Sequence, residues 1–270
     1  MPNLPNPVMV QKPFSLSHMR GAFAGTDPRK LAAMTALMPW DYFHRTYEFH
    51  EATLTADWVA NVTGGGGPTA FAYNAQRNAG LRGATGTTDD GVTELTYHSA
   101  IFNASDNPGM WVRFVAPAAV TGFSFEIGFA DPKTAALPAV TDVDTPATGN
   151  SATDVAVVHM DTDQTLTTTA LVADGTTGAA LATTLVNRAG TAYTPTASKI
   201  IDVIVGFRPN LSFCQIWDNL GPMGIMQSVA QGPDADVLVM PYMLFRTRNT
   251  TSKTINILKC VLVAEENRTT

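Results

Sequence analysis

Acidic residues are the first candidates for chemistry, because glycoside hydrolysis needs two carboxylates roughly 5–10 Å apart. The clearest strand pattern contains Glu126-Ile-Gly-Phe-Ala-Asp131. Side chains alternate between the two faces of a strand, so the odd spacing directs Glu126 and Asp131 to opposite faces. Glu48 and Glu51 have the same odd spacing. No i, i+2 pair of acids stands within a strong strand pattern, and the sequence therefore predicts that the protein is not an enzyme.

Metal ligands and nucleophiles form no recognisable motif. Two D-x-D pairs, Asp142/Asp144 and Asp161/Asp163, lack the further oxygen ligands and the glycine of a calcium loop, and turn-forming acids are the better interpretation. The five histidines never stand at metal-ligand spacing. There is no G-x-S-x-G motif, and Gly64–Gly67 is not followed by the lysine of a phosphate loop. We expect no metal and no cofactor.

Composition and charge exclude further classes of protein. The 270 residues carry a net charge of −6, with a pI near 5.3, which argues against a nucleic-acid partner. No apolar run is as long as the roughly 20 residues that span a bilayer, and the N-terminus lacks the apolar core of a secretory signal. The 36 Thr, 36 Ala and only 6 Lys fit a β protein whose surface meets other proteins. A β domain from a high-GC genome explains the same composition equally well.

The cysteines and tryptophans suggest a core role. Cys214 and Cys260 stand in apolar strand-like runs, which favours buried free thiols and leaves a single bridge possible. The four tryptophans could stack on sugars, but core packing is the commoner role in a sandwich.

Apolar residues recur with period two from Trp40 onward. The clearest strand places Phe123, Phe125, Ile127 and Phe129 on one buried face and leaves a mixed face opposite. About eleven such strands, almost no helix and no βαβ alternation predict an all-β, antiparallel two-sheet jelly-roll sandwich over residues 40–270. The Pro- and Thr-rich segment 131–153 is expected to be a long surface loop, either in contact with other groups or simply solvated.

Residues 1–39 are expected to form an extended, proline-rich arm followed by one short helix. The helix is predicted over 27–38, with Leu31, Met34, Leu37 and Met38 on one stripe that docks against the parent domain. The arm is too apolar for a solvated tail, so it either folds back on its own domain or docks on a neighbouring subunit. The candidate partner-binding residues of the arm are Leu4, Pro5, Pro7, Val8, Val10, Phe14 and Leu16.

The C-terminal half resembles a known fold family. The strand Phe123–Phe129, the turn Asp218-Asn-Leu-Gly221, the strand Met240–Phe245 and the closing strand Ile255–Val263 follow in the order of the concanavalin-like (laminin-G-like) jelly roll. The lectins and glycosidases of that fold use calcium ligands or paired carboxylates, and this sequence departs from both patterns. The resemblance therefore implies a binding or scaffolding protein.

With its proline arm, the whole chain is similar to virion structural proteins of tailed bacteriophages. That resemblance implies a capsid decoration or minor capsid protein, located in the virion after assembly in the host cytoplasm. It implies docking on the head lattice through the arm, with the major capsid protein or other virion subunits as partners, and a homo-oligomer. The alternative is a glycan-binding, lectin-like module of a phage tail or a bacterial surface protein. A glycosidase or lyase of the same fold is the third possibility, and the missing carboxylate pair counts against it.

Overall fold

The described part of the chain alternates strands and turns between Tyr42 and Glu265 in a computed structural model. The structure describes residues 42–49, 54–74, 80–140, 152–163, 169–175, 181–186, 192–219, 221–222 and 226–265. The predicted arm and the helix predicted over 27–38 lie outside these residues. Within them the one helical element is a short 3-10 helix, Ala104–Asp106, and no helix is long and apolar enough to cross a membrane.

The described residues form sixteen strands. In chain order they are β1 Tyr42–Tyr47, β2 Trp58–Thr63, β3 Thr69–Tyr73, β4 Leu81–Ala84, β5 Val92–Tyr97, β6 Gly109–Val115, β7 Phe123–Ala130, β8 Val155–Asp161, β9 Thr169–Asp174, β10 Leu181–Thr184, β11 Ile200–Arg208, β12 Leu211–Asp218, β13 Gly221–Pro222, β14 Gln227–Val229, β15 Met240–Thr247 and β16 Thr254–Glu265.

All strand pairs are antiparallel and build two sheets. A nine-stranded sheet has the order β13-β12-β11-β6-β16-β4-β3, with β1 beside β16 and β14 beside β12. A seven-stranded sheet has the order β10-β9-β8-β7-β15-β5-β2. The two sheets pack face to face, which confirms the predicted all-β jelly-roll sandwich.

Aromatic side chains fill the space between the sheets. The rings of Phe114 and Phe125 lie 5.5 Å apart between centroids in an edge-to-face arrangement, and those of Phe129 and Phe207 lie 5.2 Å apart. Both pairs join a strand of one sheet to a strand of the other. The period-two pattern of the sequence thus identifies the inner face of each long strand.

The structure has five strands that the sequence pattern did not indicate, namely β2, β4, β10, β13 and β14. Each has six residues or fewer, and β13 and β14 have two and three. Two or three residues are too few to show alternation, which explains why β13 and β14 were missed, and all five strands are defined by pairing with their neighbours.

The outward face of β7 differs from its prediction. The sequence suggested one buried and one mixed face, yet all eight residues of β7 are buried. The reason is residues 131–140, hereafter the covering segment, whose Ala136, Ala139 and Val140 form a second apolar layer with Tyr242 and Leu244 on the outer side of the seven-stranded sheet. The described start of the predicted long loop is therefore packed against its own domain.

The cysteine and tryptophan predictions are confirmed where the structure describes them. Cys214 and Cys260 are free, buried thiols, and burial raises the pKa of both. Trp58, Trp111 and Trp217 are buried. Trp40 lies outside the described residues.

Two glycines with positive φ test how closely the strands approach each other. A Cβ on Gly80 (φ +63°) would stand 2.0 Å from the carbonyl oxygen of Ile257, whereas a Cβ on Gly67 (φ +72°) meets nothing within 4 Å. Gly67→Ala should cost about 1–2 kcal/mol of unfolding free energy from backbone strain alone. Gly80→Ala should cost at least about 1 kcal/mol more, because β4 must move away from β16. Urea unfolding of both variants measures the difference, and equal losses would contradict this close approach.

Candidate functional site

Two glutamates lie on the outer face of the seven-stranded sheet. Glu126 of β7 is paired across the ladder with Leu244 of β15, and Leu244 is paired with Glu94 of β5. Since adjacent strands are about 4.8 Å apart, the backbones at Glu94 and Glu126 are about 10 Å apart on one face. Two acidic side chains thus share one face, which is one requirement of a glycosidase site, and they come from two strands rather than one.

Glu126 accepts four hydrogen bonds. Its Oε2 accepts from the Ala139 N–H at 2.7 Å and from the Tyr242 hydroxyl at 2.8 Å. Its Oε1 accepts from the Val140 N–H at 3.0 Å and lies 3.1 Å from Nδ1 of His159. Burial would raise the pKa of Glu126, but the hydrogen bond and charge of His159, with the other donors, outweigh it and lower the pKa. The carboxylate stays ionised and holds the covering segment.

Glu94 holds the same segment at a second point. It is ion-paired with Lys133, and its Oε2 accepts the Ala136 N–H at 2.7 Å. Lys133 also donates to the Leu137 carbonyl at 2.7 Å, and its ammonium lies 4.8 Å from the centroid of the Tyr242 ring. The covering segment pairs with no described strand, so the two carboxylates satisfy backbone N–H groups that a sheet would otherwise satisfy.

This arrangement blocks acid–base chemistry at the glutamates. Both side chains are completely buried beneath the covering segment, and their oxygens already accept protein donors. Nε2 of His159 is buried without a hydrogen-bond partner. Burial first, and then the charge of Glu126, raise the pKa of Tyr242 far above its ordinary value, so this phenol remains a proton donor to Glu126.

Charged side chains cluster where the outer face reaches the end of the sandwich. We call this cluster, made of Asp90, Asp161, Asp163, Arg246 and Arg248, the polar rim. Arg246 donates to Asp161 at 2.9 Å, and Nε of Arg248 lies 3.1 Å from the same carboxylate. Arg248 is also ion-paired with Asp90 and lies 3.9 Å from Asp163.

The polar rim contains one buried carboxylate and two exposed carboxylates. The Asp161 side chain is completely buried, whereas those of Asp90 and Asp163 are each 59% exposed. Asp90 adopts a positive φ of +62°, and its N–H donates to the Thr247 carbonyl at 2.9 Å. The backbone thereby fixes where the Asp90 carboxylate emerges.

The strand order brings these residues together. β8, β7, β15 and β5 are neighbours with alternating direction, so the end of β8, the end of β15 and the start of β5 meet at one edge. The exposed Gly64–Gly67 turn and the hydroxyls of Thr87 and Thr88 lie at the same edge. The edge is therefore rich in hydrogen-bonding groups.

Several sites considered from the sequence have other outcomes. Asp161 and Asp163 form the expected turn, in which the Asp163 N–H donates to Asp161 Oδ1 at 3.0 Å, and they also belong to an ion-pair cluster. Among the described residues no group of three or more His, Cys, Asp or Glu side chains is placed to hold a metal ion. Asp142, Asp144 and the seven arm residues from Leu4 to Leu16 lie outside the described residues. Tyr73, 38% exposed, is the one exposed aromatic residue among the described large hydrophobic side chains.

Sequence reasoning missed both the glutamate pair and the polar rim. The search for carboxylates followed single strands, while Glu94 and Glu126 come together across three strands. The partners in the polar rim are separated by up to 158 residues. The available signal was the placement of Asp89-Asp90, Asp161-Thr-Asp163 and the Arg246/Arg248 pair at the ends of strand patterns.

Comparison with known proteins shows the fold. No protein-family model matches the sequence, and the search of curated proteins found no match. A protein of unknown function from Shewanella oneidensis MR-1 has a similar structure, with a TM-score of 0.55, 14% identity, and coverage of 100% of this chain and 99% of that one. Lectin II from Ulex europaeus gives a TM-score of 0.55 at 10% identity, with 83% and 98% of the two chains covered. The exoplasmic/lumenal domain of VIP36, in its Ca²⁺/Man3GlcNAc-bound form, gives 0.53 at 9% identity, with 83% and 90% covered. The chain therefore has the lectin-like, concanavalin-like jelly roll that its strand order resembled.

The lowered pKa of Glu126 predicts a pH-dependent contribution to stability. A carboxylate whose folded-state pKa lies below its unfolded value stabilises the fold above that unfolded value, near 4.3, and loses the contribution as the pH falls through the folded-state pKa. At pH 7, Glu126→Gln should lower the free energy of unfolding by about 3 kcal/mol, because His159 and the covering segment lose a buried anion. The difference from the unmodified protein should shrink below about pH 4.

Urea unfolding between pH 7 and pH 3 measures this difference. Glu48→Gln is the matched control, because Glu48 is an exposed glutamate ion-paired with Lys259 at the surface. That change should cost less than about 1 kcal/mol at any pH. A Glu126→Gln penalty that is small at pH 7, or that does not vary with pH, would contradict the role of Glu126.

Proposed function

We propose that the protein is a non-enzymatic glycan-binding module and that the polar rim is its binding surface. The observation that carries the proposal is the pair of exposed carboxylates, Asp90 and Asp163, held on either side of Arg248 above a buried Arg246–Asp161 ion pair. A sugar presents neighbouring hydroxyl groups that donate and accept hydrogen bonds. Two carboxylates and a guanidinium at fixed positions match that pattern.

Preorganisation supports this role for the polar rim. Arg248 is held by three aspartates, and the Asp90 backbone is fixed by its bond to Thr247. Ligand binding then costs little loss of side-chain freedom. Around the polar rim, Thr87, Thr88 and Asp89 offer further exposed hydroxyl and carboxylate groups.

The fold adds support by analogy. The names of three structural neighbours refer to carbohydrate recognition or to lectins: lectin II from Ulex europaeus, the glycan-bound VIP36 domain and the carbohydrate recognition domain of Emp47p, the last with a TM-score of 0.51 at 11% identity. A shared fold is weaker support than a site, because one fold carries many functions.

The net charge of the polar rim indicates which class of sugar we expect it to bind. The polar rim has three carboxylates and two guanidinium groups, which leaves one net negative charge (−3 + 2 = −1), and exposed Asp89 adds another. Acidic sugars would be repelled from such a surface. We therefore expect neutral or amino sugars to be preferred over uronates and sialylated glycans.

Binding to a panel of immobilised neutral and acidic glycans tests the proposal. Asp163→Ala and Asp90→Ala should each weaken binding to the best neutral glycan at least tenfold, about 1.4 kcal/mol. Asp236→Asn is the control, because Asp236 is an exposed aspartate beyond the opposite end of β15 and should bind like the unmodified protein. Absence of binding to the whole panel, or equal binding by all variants, would refute the polar rim as a glycan site. Release of reducing sugar would refute the non-enzymatic reading.

A virion role is the second proposal, and it rests on the phage resemblance and on the apolar arm. In this proposal a homo-oligomeric decoration or minor capsid protein docks on the major capsid protein through Leu4, Pro5, Pro7, Val8, Val10, Phe14 and Leu16. Deleting residues 1–39 should then abolish co-sedimentation with particles from the source, since apolar burial by the arm provides the contact. Unchanged co-sedimentation of the deleted chain would contradict this role.

A further inference from the structure

An apolar cluster lies on the outer face of the nine-stranded sheet, on the side away from the inter-sheet core. On β6, Met110, Val112 and Phe114 face the core, so Trp111 and Arg113 face outward. The cluster, hereafter the outer cluster, contains Trp111, Ile204, Phe213, Trp217, Val261 and Val263. It spans β12, β11, β6 and β16, which are consecutive neighbours in the sheet.

The outer cluster is almost completely removed from solvent. Trp217 is 2% exposed, and Val263, the most accessible member, is 8% exposed. Asp202, on the same face, is fully buried, and it accepts from Trp111 Nε1 at 2.8 Å and from Arg113 at 2.8 and 3.0 Å. Among the described hydrophobic residues, only Met226 packs against the outer cluster as a partly buried neighbour. A sheet face this apolar needs a covering layer, since leaving it in water would cost its hydrophobic stabilisation.

The chain before β1 reaches the sheet beside this cluster. β1 pairs with β16, with Tyr42 opposite Glu265 and His44 opposite Val263. Tyr42, where the described chain begins, therefore lies next to the strand that carries Val261 and Val263. Residues 39–41 can extend about 10 Å, which is enough to bring residue 38 over β16 or β6.

The segment 27–38 has the length and the pattern that the cluster requires. Twelve helical residues extend about 18 Å, and the three spacings from β16 to β12 amount to about 14 Å. Leu31, Met34 and Met38 stand at i, i+3 and i+7 and share one helical face. Methionine is a favourable partner for the tryptophan rings of the outer cluster.

One buried polar atom on the sheet face indicates how the helix predicted over 27–38 would be positioned on the sheet. Gln215 lies in the cross-strand row of Ile204, Trp111 and Val261, and its Oε1 is buried without a hydrogen-bond partner. Thr35 stands at i+4 from Leu31, at the edge of the apolar stripe, and provides a hydroxyl donor. The polar residue that interrupts the stripe thus has a polar counterpart on the sheet.

We infer that residues 27–38 form a helix that covers the outer cluster of the same chain. Leu31, Met34 and Met38 pack on Trp111 and Trp217, and the Thr35 hydroxyl donates to Gln215. The helix makes the sandwich a three-layered structure and leaves residues 1–26 as the segment free to contact a partner. This inference does not depend on the glycan or the virion role.

Acrylamide quenching of tryptophan fluorescence in the full-length chain tests the inference. Met34→Asp places a charge on the covering face and should raise the quenching constant about twofold or more, because Trp111 and Trp217 become accessible. Ala36→Asp is the matched control, because its side chain lies on the opposite face of the helix. It should quench like the unmodified protein. Equal quenching of the two variants would overturn the inference.

Two deletions and a mass measurement identify which segment covers the outer cluster. Deleting residues 1–26 should leave quenching unchanged, whereas deleting residues 1–39 should raise it, and adding a peptide of residues 27–41 should restore protection. Light scattering must show the same mass for the unmodified chain and for Met34→Asp. A fall from dimer to monomer would show that a second copy covers the outer cluster and would overturn the intramolecular arrangement. If the longer deletion does not fold, the comparison of Met34→Asp with Ala36→Asp still decides whether the helix covers the outer cluster.

Discussion

Two buried carboxylates control the architecture on one side of the sandwich. An ionised glutamate in a dry environment is stable only if several donors surround it, and Glu126 has four while Glu94 has Lys133 and the Ala136 N–H. The donors on both glutamates include backbone groups of the covering segment. The buried charges are therefore stable only while residues 131–140 remain in place and provide these donors. Ala136, Ala139 and Val140 can then form an apolar layer that their own hydrophobicity would be too small to secure.

Because the covering segment must stay in place, the exposed polar groups of the seven-stranded sheet lie at its end and not on its outer face. The outer side of the seven-stranded sheet is closed by the covering segment, and the outer cluster on the nine-stranded sheet is buried as well. What stays open is the end of the sandwich, where strands stop and turns expose hydroxyls and carboxylates. The polar rim lies there because β8, β15 and β5 all have a terminus at that edge. The fold provides the rigid frame, and the site depends on a few loop residues attached to it.

The sequence predicts the inner faces of long strands well, because burial between two sheets imposes period two on Phe123–Phe129 and on Ile201–Phe207. Short strands such as Gln227–Val229 escape detection, since three residues cannot show a period. The glutamate pair depends on cross-strand register, which brings residues 94, 244 and 126 into one row, and no local pattern encodes that register. The misjudged outer face of β7 has the same origin. Its Glu126 belongs to the face that the sequence pattern predicted to be mixed, while the structure buries it among hydrogen-bond donors.

The state of Glu126 also separates binding from catalysis on this fold. A glycosidase needs one carboxylic acid whose pKa is raised, so that it can protonate the leaving group, and a second carboxylate with room for a substrate. Glu126 has the opposite character, because its donors lower its pKa and hold it as an anion. Raising that pKa would require removing His159 or the covering segment, and either change would leave buried groups without partners. The exposed aspartates of the polar rim carry no such cost, since Asp90 and Asp163 reach water and can exchange it for hydroxyl groups. The sugar binding that we propose at the polar rim therefore needs no change in the buried carboxylates, whereas cleavage on the face of the sheet would require one.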